Sequence, residues 1–189
     1  MGQAKVVFGN TEGAYAISSD FCRIFNDDMN ELVRLAYLLT GNVEKAEQCF
    51  VAGLEDCSGS NRVFREWARS WARRAVIQNA IRTVDPSQNA GSRLNGSSID
   101  ESVLNGENAK LAPVLGLNSL ERFVFVLSVL EKYSDQDCAT LLGRSRRDIV
   151  AVRNKAMQNF AVLSGALPPQ DGKESKLGFF PRTLFANSA

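Results

Sequence analysis

Apolar residues recur every three or four positions through two stretches of this chain, residues 20–84 and 114–164, and a polar stretch divides them. That spacing fits the 3.6-residue turn of an α-helix and not the alternation of a strand. In the first stretch Phe21, Phe25, Met29, Leu32, Ala36 and Leu39 make one apolar stripe. Gly41-Asn42 ends that helix and caps another, in which Val43, Ala46, Phe50, Leu54 and Cys57 keep the spacing. Ser58-Gly59-Ser60-Asn61 breaks the chain again, and a third helix is predicted from Arg62 to Arg82. At about 100° per residue, Phe64, Trp67, Ala68, Trp71 and Ala75 share one side of it. Arg62, Arg65, Arg69 and Arg73 share the other. The aromatic side, with both tryptophans, is expected in the core. The arginine ridge is expected to meet phosphate, whose geometry a guanidinium matches with two parallel hydrogen bonds.

The second stretch carries three capping patterns. Asn118 with Glu121 opens a helix expected to reach Lys132. Its run Phe123-Val124-Phe125-Val126-Leu127 is locally strand-prone, but Leu120, Val124, Leu127 and Leu130 keep helical spacing. Ser134 with Asp137 opens a short helix that ends at Leu142-Gly143, and Ser145 with Asp148 opens one that runs to about Phe160. Two helices joined through a short glycine turn are the signature of a helix-turn-helix. In the last helix Ile149, Val152, Ala156 and Phe160 point inward. Arg147, Ala151, Asn154 and Gln158 point outward, with Lys155 beside them. Arginine, asparagine and glutamine are side chains that read base edges in a major groove. Arg146 and Arg147 stand at the helix N-terminus, where a recognition helix meets DNA.

Residues 85–113 are rich in Ser, Asn, Gly and Asp and read as a flexible linker, with a short helical turn near Ile99 to Leu104. Residues 1–19 are an N-terminal extension and 165–189 a tail. The tail holds Leu177, Phe179, Phe180, Leu184 and Phe185, which either fold back on a block or bind a partner. The expected class is therefore all-α, as two small helical domains on a flexible joint.

The formal net charge is +1, so affinity for nucleic acid has to come from basic residues gathered on particular faces. The chain has no histidine, which removes the commonest general base and most zinc sites. Cys22, Cys49, Cys57 and Cys138 form no C-x-x-C pair and read as free thiols in a reducing compartment. There is no glycine-rich phosphate loop either. No catalytic residue, metal, cofactor or small-molecule substrate is expected, and an enzyme is the least favoured class. No signal peptide or membrane span is legible, and a cytoplasmic location is expected.

From Asp20 to Leu163 the chain resembles a bacterial sigma factor of the extracytoplasmic-function group. Asp20-Phe21-Cys22-Arg23-Ile24-Phe25, then Leu32-Val33-Arg34-Leu35-Ala36-Tyr37-Leu38-Leu39-Thr40-Gly41-Asn42, is similar to the opening of that family's region 2. Phe64-Arg65-Glu66-Trp67, then Ala72-Arg73-Arg74-Ala75, is similar to its promoter-melting helix. Leu120-Glu121-Arg122, Glu131-Lys132-Tyr133-Ser134 and Ala139-Thr140-Leu141-Leu142-Gly143 resemble region 4. The resemblance implies binding to bacterial core RNA polymerase and to promoter DNA, with an anti-sigma factor or other regulator as a further class of partner. Region 2 would take the minus-ten element through Arg62, Arg65, Arg69, Arg73, Arg74 and Gln78. Region 4 would take the minus-thirty-five element through Arg144, Ser145, Arg146, Arg147, Ala151, Asn154, Lys155 and Gln158. Polymerase would meet Glu47, Gln48, Val51 and Ala52.

Departures from the family pattern fall on that last surface and on both DNA-facing ones. Val51-Ala52 stands where the family has a Gln-Glu pair, and Gln48 replaces an acid. Gln78 replaces an aspartate, and Val150 and Val152 stand where many members have Lys and Arg. Two alternatives therefore stay open: a DNA-binding regulator that uses only the second block, and a protein-interaction module that has lost polymerase binding.

Overall fold

The computed structural model describes residues 14–59, 62–86, 111–166 and 168. Its regular structure is helical throughout, so the chain is all-α. The helical turn expected near Ile99 to Leu104, most of the linker and the phenylalanine-rich tail lie outside the described residues.

The first block is built from α1 (Ser18–Asp27), α2 (Met29–Thr40), α3 (Val43–Ser58) and α4 (Ala68–Val84). The stripe expected on one helix is split between α1 and α2, which part at Asp28. Phe21, Phe25, Leu32, Ala36 and Leu39 are buried as expected, whereas Met29, first in α2, stays half-exposed. Gly41 adopts the left-handed conformation (φ 68°) that ends α2, and Asn42 caps α3 by accepting from the Lys45 amide at 2.9 Å.

The third predicted helix starts six residues late. Arg62 to Phe64 is extended, and Phe64 bridges to Tyr15. A single 3₁₀ turn (Arg65–Trp67) then leads into α4. The buried side of α4 is centred on Ala72 and Asn79 rather than on the tryptophans, which leaves Trp71 at its edge. The buried stripe of α4 is Ala68, Ala72, Ala75, Val76 and Ala80, residues small enough to bring α4 close to α3. Gly53 of α3 faces Val76, and a Cβ built on it would lie 3.0 Å from Val76 Cγ2 and 3.3 Å from the Val76 amide nitrogen.

The second block holds α5 (Ala112–Leu115), α6 (Ser119–Phe125), a π-helical turn (Val126–Leu130), α7 (Asp135–Leu142) and α8 (Arg146–Leu163). The strand-prone run is helical and fully buried. Asn118, Ser134 and Ser145 all accept hydrogen bonds from the amides three residues on. Gly143 (φ 61°) makes the turn between α7 and α8.

The blocks share one continuous apolar cluster. Arg122 of α6 is wholly buried at their junction. Its Nε donates to the Leu39 carbonyl at 3.2 Å and its Nη2 to the Thr40 carbonyl at 3.4 Å. Those carbonyls belong to the last turn of α2, where helical geometry leaves acceptors unpaired and concentrates partial negative charge. A third bond, from Nη1, reaches the Leu117 carbonyl at 3.5 Å. Burial lowers the Arg122 pKa to about 10, which leaves the guanidinium protonated at neutral pH.

Candidate nucleic-acid interface

The outward face of α8 is laid out as expected. Ile149 and Ala156 are fully buried and fix the rotation of the helix, while Val152 and Phe160 are partly buried. Phe160 stacks on Phe125 of α6 with centroids 4.8 Å apart. Arg153 is bound to Asp135, which ties α8 to α7. Arg146, Arg147, Ala151, Asn154 and Gln158 are exposed. Ser145 accepts from the Asp148 amide at 3.1 Å, so its hydroxyl serves the helix start. Arg144 at the turn is half-buried. Lys155 is less free than expected, because its Nζ lies 3.3 Å from Glu121 Oε1. That contact lacks hydrogen-bond geometry, and Glu121 Oε1 is buried without a hydrogen-bond partner, whereas Oε2 accepts from Asn159 at 2.9 Å. At 3.3 Å the opposite charges attract without a hydrogen bond between them.

The arginine ridge of the first block is paired with acids from neighbouring helices. Arg65 lies 3.2 Å from Asp20 and Arg69 3.4 Å from Asp28. Arg73 lies 2.9 Å from Glu31 and 3.0 Å from Glu131. Asp20 titrates below the ordinary aspartate range, first because it accepts from the Ile17 amide and then because Arg65 and Arg23 are near. Arg73 is held firmly protonated, chiefly by its hydrogen bond to Glu131. Arg62 is exposed and makes no ion pair among the described residues. Exposed pairs such as Arg69–Asp28 contribute on the order of 0–1 kcal/mol, so phosphate can compete for them.

Both tryptophans are on the surface, against the expectation that they fill the core. Trp67 is 58% exposed and Trp71 37%, and Phe64 beside them is 40% exposed. Trp67, Trp71, Arg74 and Gln78 stand at successive turns along one side of α4. They line a cleft of 820 Å³ whose far wall is Glu131, Lys132, Tyr133 and Asp137 from the second block. Lys132 holds a left-handed backbone (φ 61°), which turns the chain from the π-helical turn toward α7 and carries Glu131 and Tyr133 to the cleft. Exposed indoles beside arginine, lysine and glutamine can stack bases and neutralise phosphates. The mixed character of the Trp67-Trp71-Arg74-Gln78 stripe was visible in the sequence. Helical spacing alone does not tell which edge of the apolar side of α4 is left uncovered.

On α3, Glu47, Gln48 and Val51 are exposed and Ala52 is partly buried, so the four expected polymerase contacts lie together on one accessible face. Val51 is 53% exposed, an apolar patch on an otherwise polar surface. Cys49, Cys57 and Cys138 are buried free thiols and Cys22 is an exposed one. No helix among the described residues is long and apolar enough to cross a membrane. The chain matches no protein-family model and no curated protein.

Proposed function

We propose that this protein is a sigma-factor-like transcription initiation protein, cytoplasmic and without catalytic chemistry of its own, that binds core RNA polymerase and promoter DNA. One observation carries the proposal. The second helix of a glycine-turned pair presents Arg146, Arg147, Asn154 and Gln158 to solvent, beginning at its N-terminus. A recognition helix offers its side chains in this way to a major groove. In the first block the strand-separating work falls to the cleft rather than to the arginine ridge alone. Trp67 and Trp71 supply stacking surfaces, and Arg74 and Gln78 supply polar contacts. Arg65, Arg69 and Arg73 contribute once their carboxylate partners yield.

The test is run-off transcription with purified core polymerase on a pool of random upstream sequences. A promoter-dependent transcript from enriched templates is the expected result. Absence of any such transcript, with duplex binding intact, would move the assignment to a DNA-binding regulator. A specific observation favours that second assignment: the α3 surface presents Val51 and Ala52 where a polymerase contact calls for polar groups.

A further inference from the structure

Among the described residues one ion pair joins the blocks, a two-pronged one at the cleft. Arg73 Nε donates to Glu131 Oε2 at 3.0 Å and Arg73 Nη2 to Glu131 Oε1 at 3.1 Å. Arg73 Nη1 donates to Glu31 at 2.9 Å. The guanidinium is thus committed on three sides to carboxylates. Glu131 is 15% exposed and Arg73 33%, so the pair is screened less than a surface bridge. The wall that brings Glu131 also brings Asp137. Two carboxylates on that wall therefore face Arg74 across the space that an anionic strand would occupy.

A second observation bears on how firmly the blocks are held. Arg122 is wholly buried at the junction and bonds only to carbonyls, with no carboxylate near enough for an ion pair among the described residues. Burying a lone charge opposes closure, and parting the blocks returns it to water. Closure is thus a balance between the shared apolar cluster, the Arg73–Glu131 pair and the Arg122 bonds to the end of α2 on one side and the dehydration of Arg122 on the other. Such a balance makes a two-state element that a competing anion can shift.

We propose that the Arg73–Glu131 pair is an autoinhibitory latch, which holds the second block over the Trp67–Trp71 cleft and keeps a nucleic-acid strand out until the blocks part. The latch regulates the strand-binding surface proposed above and rests on that assignment.

Trp67 and Trp71 are the only two tryptophans of the chain, so indole fluorescence reports on the cleft alone. The measurement is acrylamide quenching of the full chain, together with anisotropy of a dye-labelled 20-nucleotide single-stranded DNA. Glu131→Gln is expected to raise quenching and to tighten oligonucleotide binding by on the order of tenfold. Glu31→Gln touches the same arginine within one block and is expected to leave quenching unchanged. Equal quenching in the natural chain and Glu131→Gln overturns the latch. So does an equal rise in both variants. Raised quenching in Glu131→Gln, with no oligonucleotide bound by any variant, overturns the strand-binding assignment and with it the inhibitory role. If Glu131→Gln loses its helical circular dichroism, Arg73→Lys replaces it in the quenching assay. That variant keeps the charge but not the two-pronged bond, and it must show the same rise.

Discussion

Arg147 stands on the first turn of α8, exposed to solvent at the end of the helix where amide groups are unpaired. Removing it as Arg147→Ala is expected to weaken specific duplex binding by about 1–3 kcal/mol and to relax preference at one base pair. Anisotropy titrations on the enriched promoter and on single-base variants read both effects. An unchanged preference would place another face of α8 in the groove. The thiols make a second residue-scale case. Burial raises the Cys57 thiol to about 12 and the Cys138 thiol to about 11, and it raises Cys49 as well. A thiol whose folded pKa lies above its unfolded value near 9.0 favours the fold below that pH. The benefit disappears as pH climbs through the folded value. No histidine titrates between pH 6 and 8. The urea midpoint is therefore expected to stay level from pH 6 to 8 and to fall above pH 9, and iodoacetamide at pH 8 is expected to mark Cys22 alone. Labelling of Cys57 in the folded chain would contradict this. At this scale the sequence was informative where a residue lay deep inside a regular helix. Ile149 and Ala156 inward and Arg147 and Gln158 outward follow from 100° steps within α8. It misled for Trp71, which stands about 60° from Ala68 but at the edge of a buried stripe centred on Ala72 and Asn79, and for Trp67, which precedes α4.

The position of Trp67 is a matter of where an element begins, and caps are what marks element ends. Asn118, Ser134 and Ser145 each cap a helix in the second block, where the expected starts hold. Phe64–Ala68, the true entry to α4, has no side-chain cap at all. The entry is set by the pairing of residues 14–16 with 63–65, in which the Ala16 amide reaches the Val63 carbonyl at 2.8 Å. That contact crosses more than forty positions and leaves no local mark. The break between α1 and α2 is equally quiet, with a buried stripe that continues across it. Two substitutions test the elements. Ser145→Ala removes the acceptor of the Asp148 amide and is expected to cost about 1 kcal/mol in urea unfolding. Gly53→Ala puts a methyl 3.0 Å from Val76 Cγ2 and as little as 3.3 Å from backbone that is less able to yield. It is expected to cost roughly 1–3 kcal/mol. A neutral Gly53→Ala would show that α3 and α4 can move apart without loss.

The association of the two blocks is the part of the fold least legible in the sequence. Helical periodicity tells which face of a helix is apolar, but not which other block covers it. One clue was present. Glu121-Arg122 lies at the head of an apolar run, and both residues are buried. Glu121 turns to Asn159 and Lys155 within its own block, while Arg122 reaches across to the end of α2. A buried arginine with carbonyl partners is hard to replace piecemeal. Arg122→Ala leaves the Leu39 and Thr40 carbonyls without their guanidinium donors and opens a cavity at the junction. Relief of the buried charge offsets part of that loss. The net cost is expected to be on the order of 2–4 kcal/mol, and it falls on the contact between blocks rather than within either. Unfolding of the natural chain should then be one cooperative transition, the same by indole fluorescence, which follows α4, and by helical circular dichroism, which follows both blocks. In Arg122→Ala the two signals should separate, with one block melting at lower urea than the other. Coincident transitions in that variant would mean that the apolar cluster alone couples the blocks, and that the buried guanidinium serves only to satisfy the end of α2.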